Sequence, residues 1–277
     1  MERRNLALLC AGVLCFWLFA LAVGTAQGAG LRVAIGGTGP AVQADAPAVL
    51  AAAPANSGLQ LECRAAILME PETGRVLYEK APDERMPIAS ITKLMTLLLT
   101  FEAVRGGKLT LDTPVPVSEH AYHMGGSQIW LEPGEQFTLD EMLRAICVSS
   151  ANDAAVAVAE LVGGSEPAFV EQMNARAASL GMEQTSFRDA CGLDAEGHYS
   201  SARDVARMSV ELLHHPKILE YSQIWMDSLR GGAMGLTNTN KLVRFYPGAN
   251  GMKTGYTDSA KYCLSATAKR DKLQLIA

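Results

Sequence analysis

The spacing of apolar positions changes several times along the chain, and each change marks a segment. Residues 6–23 are apolar nearly throughout, behind Arg3 and Arg4 and ahead of Ala26-Gln27-Gly28-Ala29, which is the layout of a secretory signal over residues 1–28. From 29 to 60 no helical or strand period emerges, and the Ala, Gly and Pro content predicts a flexible tether whose only charges are Arg32 and Asp45. Folded structure is expected over 61–277. Short apolar stretches at 63–69 and 75–78 flank Glu70-Pro71-Glu72-Thr73-Gly74, turn residues that predict a hairpin. Residues 89–104 are apolar on every side, which predicts a helix running through the core. Further helices are expected at 139–148, 154–162, 166–180 and 202–214, the last opened by Ser200 or Ser201 as N-cap. From 242 onward short apolar stretches return, at 242–246, 251–253, 262–268 and 273–277, spaced as antiparallel strands. Strands, then helices, then strands predict an α+β domain in which both ends of the folded part build one antiparallel sheet covered by a helical cluster.

Composition narrows the function classes. Of 277 residues, 24 are basic and 29 acidic, a net charge of -5, with no Lys/Arg run and no interleaving of aromatic with basic residues, so nucleic acid is not an expected partner. The apolar run 6–23 exceeds the usual signal core and approaches the ~20 residues of a membrane span, so an uncleaved membrane anchor is the second reading of that segment. Either way, the remainder is expected outside the cytoplasm. Cys10 and Cys15 lie in the run; Cys63, Cys147, Cys191 and Cys263 form no C-x-x-C pair and have no His at ligand spacing. They predict singly buried thiols, with no metal site and no cofactor.

Three motifs carry candidate chemistry: Ser90-Ile91-Thr92-Lys93, Ser150-Ala151-Asn152 and Lys253-Thr254-Gly255. On a helix, positions three apart share a face, so Ser90 Oγ and Lys93 Nζ can meet while backbone N–H groups at the helix start point at a reacting carbonyl. The lysine can serve as base only if burial or a second cation, such as Lys253, lowers its pKa. Ser150 on a helix–helix connection can pass a proton, and Asn152 can hold a substrate amide or the lysine. Lys253 and Thr254 on a strand can meet a substrate carboxylate, while the strand edge pairs with a peptide backbone. Each motif alone has a plainer reading: a capping serine with a solvated lysine, an N-cap before 154–162, and an exposed strand lysine before a turn glycine. A Ser-His-Asp site would need one of five histidines, of which only His198 lies in a suitable loop, and no G-x-S-x-G elbow accompanies it.

The wording around the motifs resembles the serine-type D-Ala-D-Ala carboxypeptidases, the low-molecular-mass penicillin-binding proteins of bacteria. The resemblance rests on residues 86–96, 150–154 and 251–257, with support from Gly125-Gly126-Ser127-Gln128, Glu132-Pro133-Gly134-Glu135, Gly192-Leu193-Asp194 and Gly197-His198-Tyr199-Ser200. It implies a β-lactamase/transpeptidase-like fold and removal of the terminal D-alanine from peptidoglycan stem pentapeptides through an acyl-enzyme on Ser90. Lys93 would be base, Ser150 the proton relay and Asn152 a substrate-amide contact. Lys253, Thr254 and Gly255 would line the carboxylate site, and the backbone N–H groups of Ser90 and Tyr256 would form the oxyanion hole. β-Lactams, as mimics of the dipeptide, would acylate Ser90. Two departures stand out: Asn250 where many relatives have Asp, and an end at Ala277 inside the last expected strand, where relatives continue. The alternatives are a β-lactamase of the same fold, whose E-x-x-L-N base Glu166-Pro167-Ala168-Phe169 matches only in its first residue, and a non-catalytic peptidoglycan- or penicillin-binding fragment.

Overall fold

The computed structural model describes residues 58–277. The expected signal over 1–28, and all but the last residues of the 29–60 tether, lie outside the described residues. In chain order the elements are β1 (Ala66–Met69), β2 (Val76–Lys80), a 3-10 turn (Ala89–Thr92) running into α1 (Lys93–Arg105), β3 (Pro114–Val115), α2 (Glu119–Tyr122) and β4 (Phe137–Thr138). There follow α3 (Leu139–Ser149), α4 (Asn152–Gly163), α5 (Glu166–Ser179), α6 (Ala202–Leu213) and α7 (Lys217–Ser222). The closing set is β5 (Met226–Leu229), β6 (Met234–Thr237), α8 (Leu242–Phe245), β7 (Ala249–Thr257), β8 (Lys261–Arg270) and β9 (Leu273–Ile276).

The main sheet has five strands in the order β2-β1-β9-β8-β7, every pairing antiparallel. It therefore joins the first and last described elements, as expected. β9 completes the join: Ile276 pairs with Met69 on one side and Thr267 on the other, and Ile276, Ile67, Met69 and Val76 form a small buried cluster with Ala206 of α6. β7 ends the sheet, so one of its edges is free of a strand partner among the described residues.

α1 crosses the centre of the molecule. Leu94, Met95, Leu97 and Leu98 are each no more than 1% exposed, at about 1.5–3 kcal/mol of transfer free energy apiece. A helix buried on all sides has no polar face, which is why its sequence showed no helical period. Around it the caps are those the sequence offers. Thr138 and Glu141 form a reciprocal capping box on α3, Ser165 caps α5, and Ser201 rather than Ser200 caps α6. Arg176 of α5 reaches Glu102 of α1 and Glu211 of α6, both at 2.6 Å, and fastens three helices.

Three expectations need correction. The helix expected at 89–104 is α-helical only from Lys93, because Ala89 has a left-handed backbone (φ 48) and the turn after it is 3-10. Residues 242–246 form the helical turn α8 instead of a strand: Asn240 Oδ1 accepts from Leu242 N at 3.1 Å and starts the turn, and so short an apolar run has no period to tell the two apart. The β5–β6 hairpin, which turns at Gly231-Gly232, and the short β3–β4 pairing were not anticipated. Cys63, Cys147, Cys191 and Cys263 are free thiols among the described residues; Cys147 and Cys191 are buried, whereas Cys63 and Cys263, expected buried, are only partly so.

Candidate active site

The three motifs converge. Ser90 leaves the core on the 3-10 turn, and Lys93 begins α1 with its side chain fully buried. Lys93 Nζ lies 2.9 Å from Ser90 Oγ, 2.7 Å from Asn152 Oδ1 and 2.7 Å from the carbonyl oxygen of Cys191. Two of these partners can only accept. A neutral amine must spend its two N–H bonds on them, which leaves its lone pair directed at the Ser90 hydroxyl. Burial is the main force on this lysine and lowers its pKa to about 8; the nearby carboxyls of Asp189 and Asp153 pull the other way.

The middle motif sits on the corner between α3 and α4. Ser150 adopts a left-handed conformation (φ 65), which ends α3 and turns the chain into α4 at Asn152. Neither Asn152 nor Asp153 serves as the N-cap; the cap position is Ala151, without a side-chain bond. Asn152 is instead held from two sides, its Nδ2 donating to the Gly125 carbonyl at 2.7 Å and its N–H to the Ser127 carbonyl at 2.7 Å. Asp153, fully buried, accepts from Ile129 N and Leu131 N at 3.1 Å each and so ties the 125–131 loop to the head of α4. Ser150 is buried and lines the cleft, and among the described residues its hydroxyl makes no hydrogen bond to Lys93 or Ser90.

β7 forms the opposite wall. Lys253 is 1% exposed and donates to the Thr254 carbonyl at 2.8 Å. Burial first, and the charge of Lys93 second, hold its ammonium well below the usual lysine range. Burial thus leads at both lysines; the charge of Lys93 adds to it at Lys253, whereas Lys253 is not among the forces that lower Lys93. Thr254 Oγ1 donates to Thr239 Oγ1 at 2.7 Å. Gly255 presses on the turn that carries Ser90: a Cβ placed there would stand 3.0 Å from Ser90 N and 3.0 Å from the Ile88 carbonyl oxygen. Tyr256 is exposed, its ring 4.8 Å from that of Tyr262. Between the walls lies a cleft of about 430 Å³ that takes in Ser90, Ser127, Ser150, Thr239, Thr254 and Tyr256.

The sequence reading missed Thr239, Ser127, Tyr262 and the carbonyls of Cys191 and Gly125. Backbone oxygens carry no residue signature, and the only hint was that Gly125–Gln128 and Gly192–Asp194 belong to the stretches of resemblance. His198, the one triad candidate, lies 2.8 Å from Thr92 Oγ1 through Nε2 and is not bonded to Ser90. Glu166 is occupied elsewhere: its Oε2 is 2.6 Å from His120 Nε2 and its Oε1 accepts from Ala190 N at 2.9 Å. No group of three or more His, Cys, Asp and Glu among the described residues is placed to hold a metal ion.

Residues 49–277 match the family model described as D-alanyl-D-alanine carboxypeptidase, Peptidase_S11, and the chain belongs to that family. It is 50% identical over 224 residues to the D-alanyl-D-alanine carboxypeptidase DacF of Bacillus subtilis (strain 168), covering 80% of this chain and 58% of that one. With DacA of Escherichia coli (strain K12) it shares 34% over 229 residues, 79% of this chain and 56% of that one. The chain thus spans less than two thirds of the length of these relatives. Among solved structures it resembles penicillin-binding protein D2 of Listeria monocytogenes in its ampicillin-bound form, with a TM-score of 0.71, 33% identity and coverage of 79% of this chain and 88% of that one. It also resembles the D-alanyl-D-alanine carboxypeptidase DacD of Francisella tularensis, with a TM-score of 0.75, 27% identity and coverage of 85% and 68%.

Proposed function

We propose that the chain is a serine-type D-Ala-D-Ala carboxypeptidase that removes the terminal D-alanine from peptidoglycan stem pentapeptides and is acylated by β-lactams. The observation that carries this reading is the buried Lys93 amine, fixed by Asn152 Oδ1 and the Cys191 carbonyl with its third position on Ser90 Oγ. Ser90 Oγ bonds to the carbonyl carbon of the penultimate D-alanine while its proton passes to Lys93 Nζ. The N–H groups of Ser90 and Tyr256 receive the oxyanion. When the C–N bond breaks, the departing amine takes a proton by way of Ser150, and its carboxylate is met by Thr254 and Lys253 beside Gly255. Asn152 holds both the base and the substrate amide. Water then attacks the ester carbonyl carbon, its proton passing to Lys93 Nζ, and as the acyl–Oγ bond breaks Lys93 returns that proton to Ser90 Oγ, which restores the hydroxyl and the neutral amine.

A β-lactamase needs a second base for fast deacylation, and Glu166, the one candidate from the sequence, is bonded to His120 and Ala190 instead. A pure binder has no use for a base aimed at a hydroxyl. The substrate lies in the cell wall, so the place of action is outside the cytoplasm, with residues 1–28 as the export signal, or as a membrane anchor if uncleaved, and 29–60 as the tether to the catalytic domain over 61–277. No helix among the described residues is long and apolar enough to cross a membrane. The test is release of D-alanine from diacetyl-Lys-D-Ala-D-Ala by the full chain and by Ser90→Ala. Release is expected from the first and not the second; equal release from both sinks the proposal.

A further inference from the structure

One short segment, residues 189–194, meets Lys93, the turn around Ser90, the 125–131 loop and the end of β7. Asp189 Oδ1 accepts from Cys191 N at 2.8 Å and Gly192 N at 2.5 Å and curls the segment into a tight turn. That turn aims the Cys191 carbonyl at Lys93 Nζ. Gly192 follows with φ 88, packed so closely on the nucleophile's turn that a Cβ there would fall 1.9 Å from the Ala89 carbonyl oxygen and 2.9 Å from Thr92 Oγ1. Leu193 reaches over to Gly126 of the loop that holds Asn152. Asp194 ends the segment on the far wall, where Thr257 Oγ1 donates to its Oδ1 at 2.7 Å. The hydroxyl and backbone N–H of Ser259 also serve this carboxylate, and together with Thr257 they hold it below the usual carboxylate range.

Packing does not fix the outer half of this strap. Beneath it is a cavity of about 300 Å³ between Ile88, Ala89, Leu193, Glu196, His198 and Ser259. Leu193, Asp194, Ala195 and Glu196 are all exposed. The hydrogen bond from Thr257, rather than burial, therefore ties the exposed half of the strap to the end of β7. Thr257 directly follows Tyr256, whose N–H is one of the two proposed oxyanion donors, while the strap's other end holds Lys93 and packs on Ala89 and Thr92 to either side of Ser90.

We infer that Asp194 is a positioning residue, latching the strap that carries the nucleophile's support to the β7–β8 turn and thereby setting the spacing of the two oxyanion donors. The inference rests on the acyl-transfer reading of the site. A displaced donor weakens stabilisation of the developing oxyanion without removing any group that binds the ground state. Loss of the latch thus slows acylation more than it weakens binding, by about tenfold to a hundredfold for a displacement near 1 Å.

The experiment is stopped-flow acylation of the full chain by a fluorescent penicillin, with the non-covalent binding constant, the acylation rate constant and the thermal midpoint measured for each protein. The proteins are the unmutated chain, Asp194→Ala, Asp194→Asn, Thr257→Val and the double variant Asp194→Ala/Thr257→Val. Asp194→Ala should lower the acylation rate constant by at least about tenfold with binding and midpoint nearly unchanged. Asp194→Asn, which keeps an acceptor for Thr257, should recover most of the rate, and the double variant should be no slower than the slower single one. An undiminished rate in Asp194→Ala, a loss matched by a fall in the midpoint, or independent multiplying effects of the two single variants would each overturn the inference. No uptake by the unmutated chain would overturn the acyl-transfer reading itself, and this inference with it.

Discussion

Two lysines lie buried within electrostatic reach of one another, each without a carboxylate bonded to its ammonium among the described residues, and that choice sets the chemistry of the site. A buried amine without an ion-pair partner is easier to hold neutral than charged, so the base is prepared by the cost of desolvation. The sign follows directly. Protonated Lys93 has no lone pair for the Ser90 proton, so acylation by a penicillin should fall about tenfold per pH unit below a pKa of about 8 and level off above it. A rate flat from pH 6 to 9 would rule out Lys93 as the titrating base. Lys93→Arg, which keeps the charge and cannot lose it, should acylate at least about a hundredfold more slowly at every pH. At this scale the sequence was highly legible, because the roles proposed for Ser90, Lys93, Asn152 and Lys253 belong to their side chains. The Cys191 carbonyl acts through a backbone atom and left no trace in residue type.

At the scale of elements, the site is made of abrupt junctions. A 3-10 turn enters α1, a left-handed serine separates α3 from α4, and a glycine with φ 88 lies against the nucleophile's turn. Gly192→Ala puts a methyl group into the Ala89 carbonyl, so it should lose more than about 3 kcal/mol of stability and most of the acylation rate. Gly134→Ala is the control: its φ is similar, 89, but nothing lies within 4 Å of the new carbon, so only the backbone strain of about 1–2 kcal/mol should appear. Equal midpoints for the two variants in urea unfolding would show that the close approach is unimportant. Long helices and the β7–β8 pair were readable from spacing, and the boundaries that matter here were not. A strand expectation at 242–246 failed because Asn238 and Asn240 organise that stretch by side-chain bonds to backbone N–H groups, a tertiary arrangement that apolar spacing does not encode.

For the molecule as a whole, β9 joins the hairpin of β1 and β2 to the β7–β8 pair, and the 3-10 turn that carries Ser90 packs on β7 and β8 while α1 runs on among the helices, against α4 and α6. The catalytic domain is proposed to begin near residue 61, with a tether before it. A chain starting at Gly58 should then keep the thermal midpoint and the penicillin acylation rate of the full chain. A lower midpoint on removing residues 1–57 would mean that the tether packs on the domain.

By itself the sequence determined the α+β order of elements, the side chains of Ser90, Lys93 and Asn152 that meet in one hydrogen-bonded group, and the family. Those features depend on local periodicity and on residue types with little choice of chemistry. Only the tertiary structure decided that the Cys191 carbonyl accepts from Lys93, how a left-handed Ser150 enters the cleft, and how Asp194 reaches Thr257 across 63 residues. These depend on distances between segments far apart in the chain, which no spacing along one segment records.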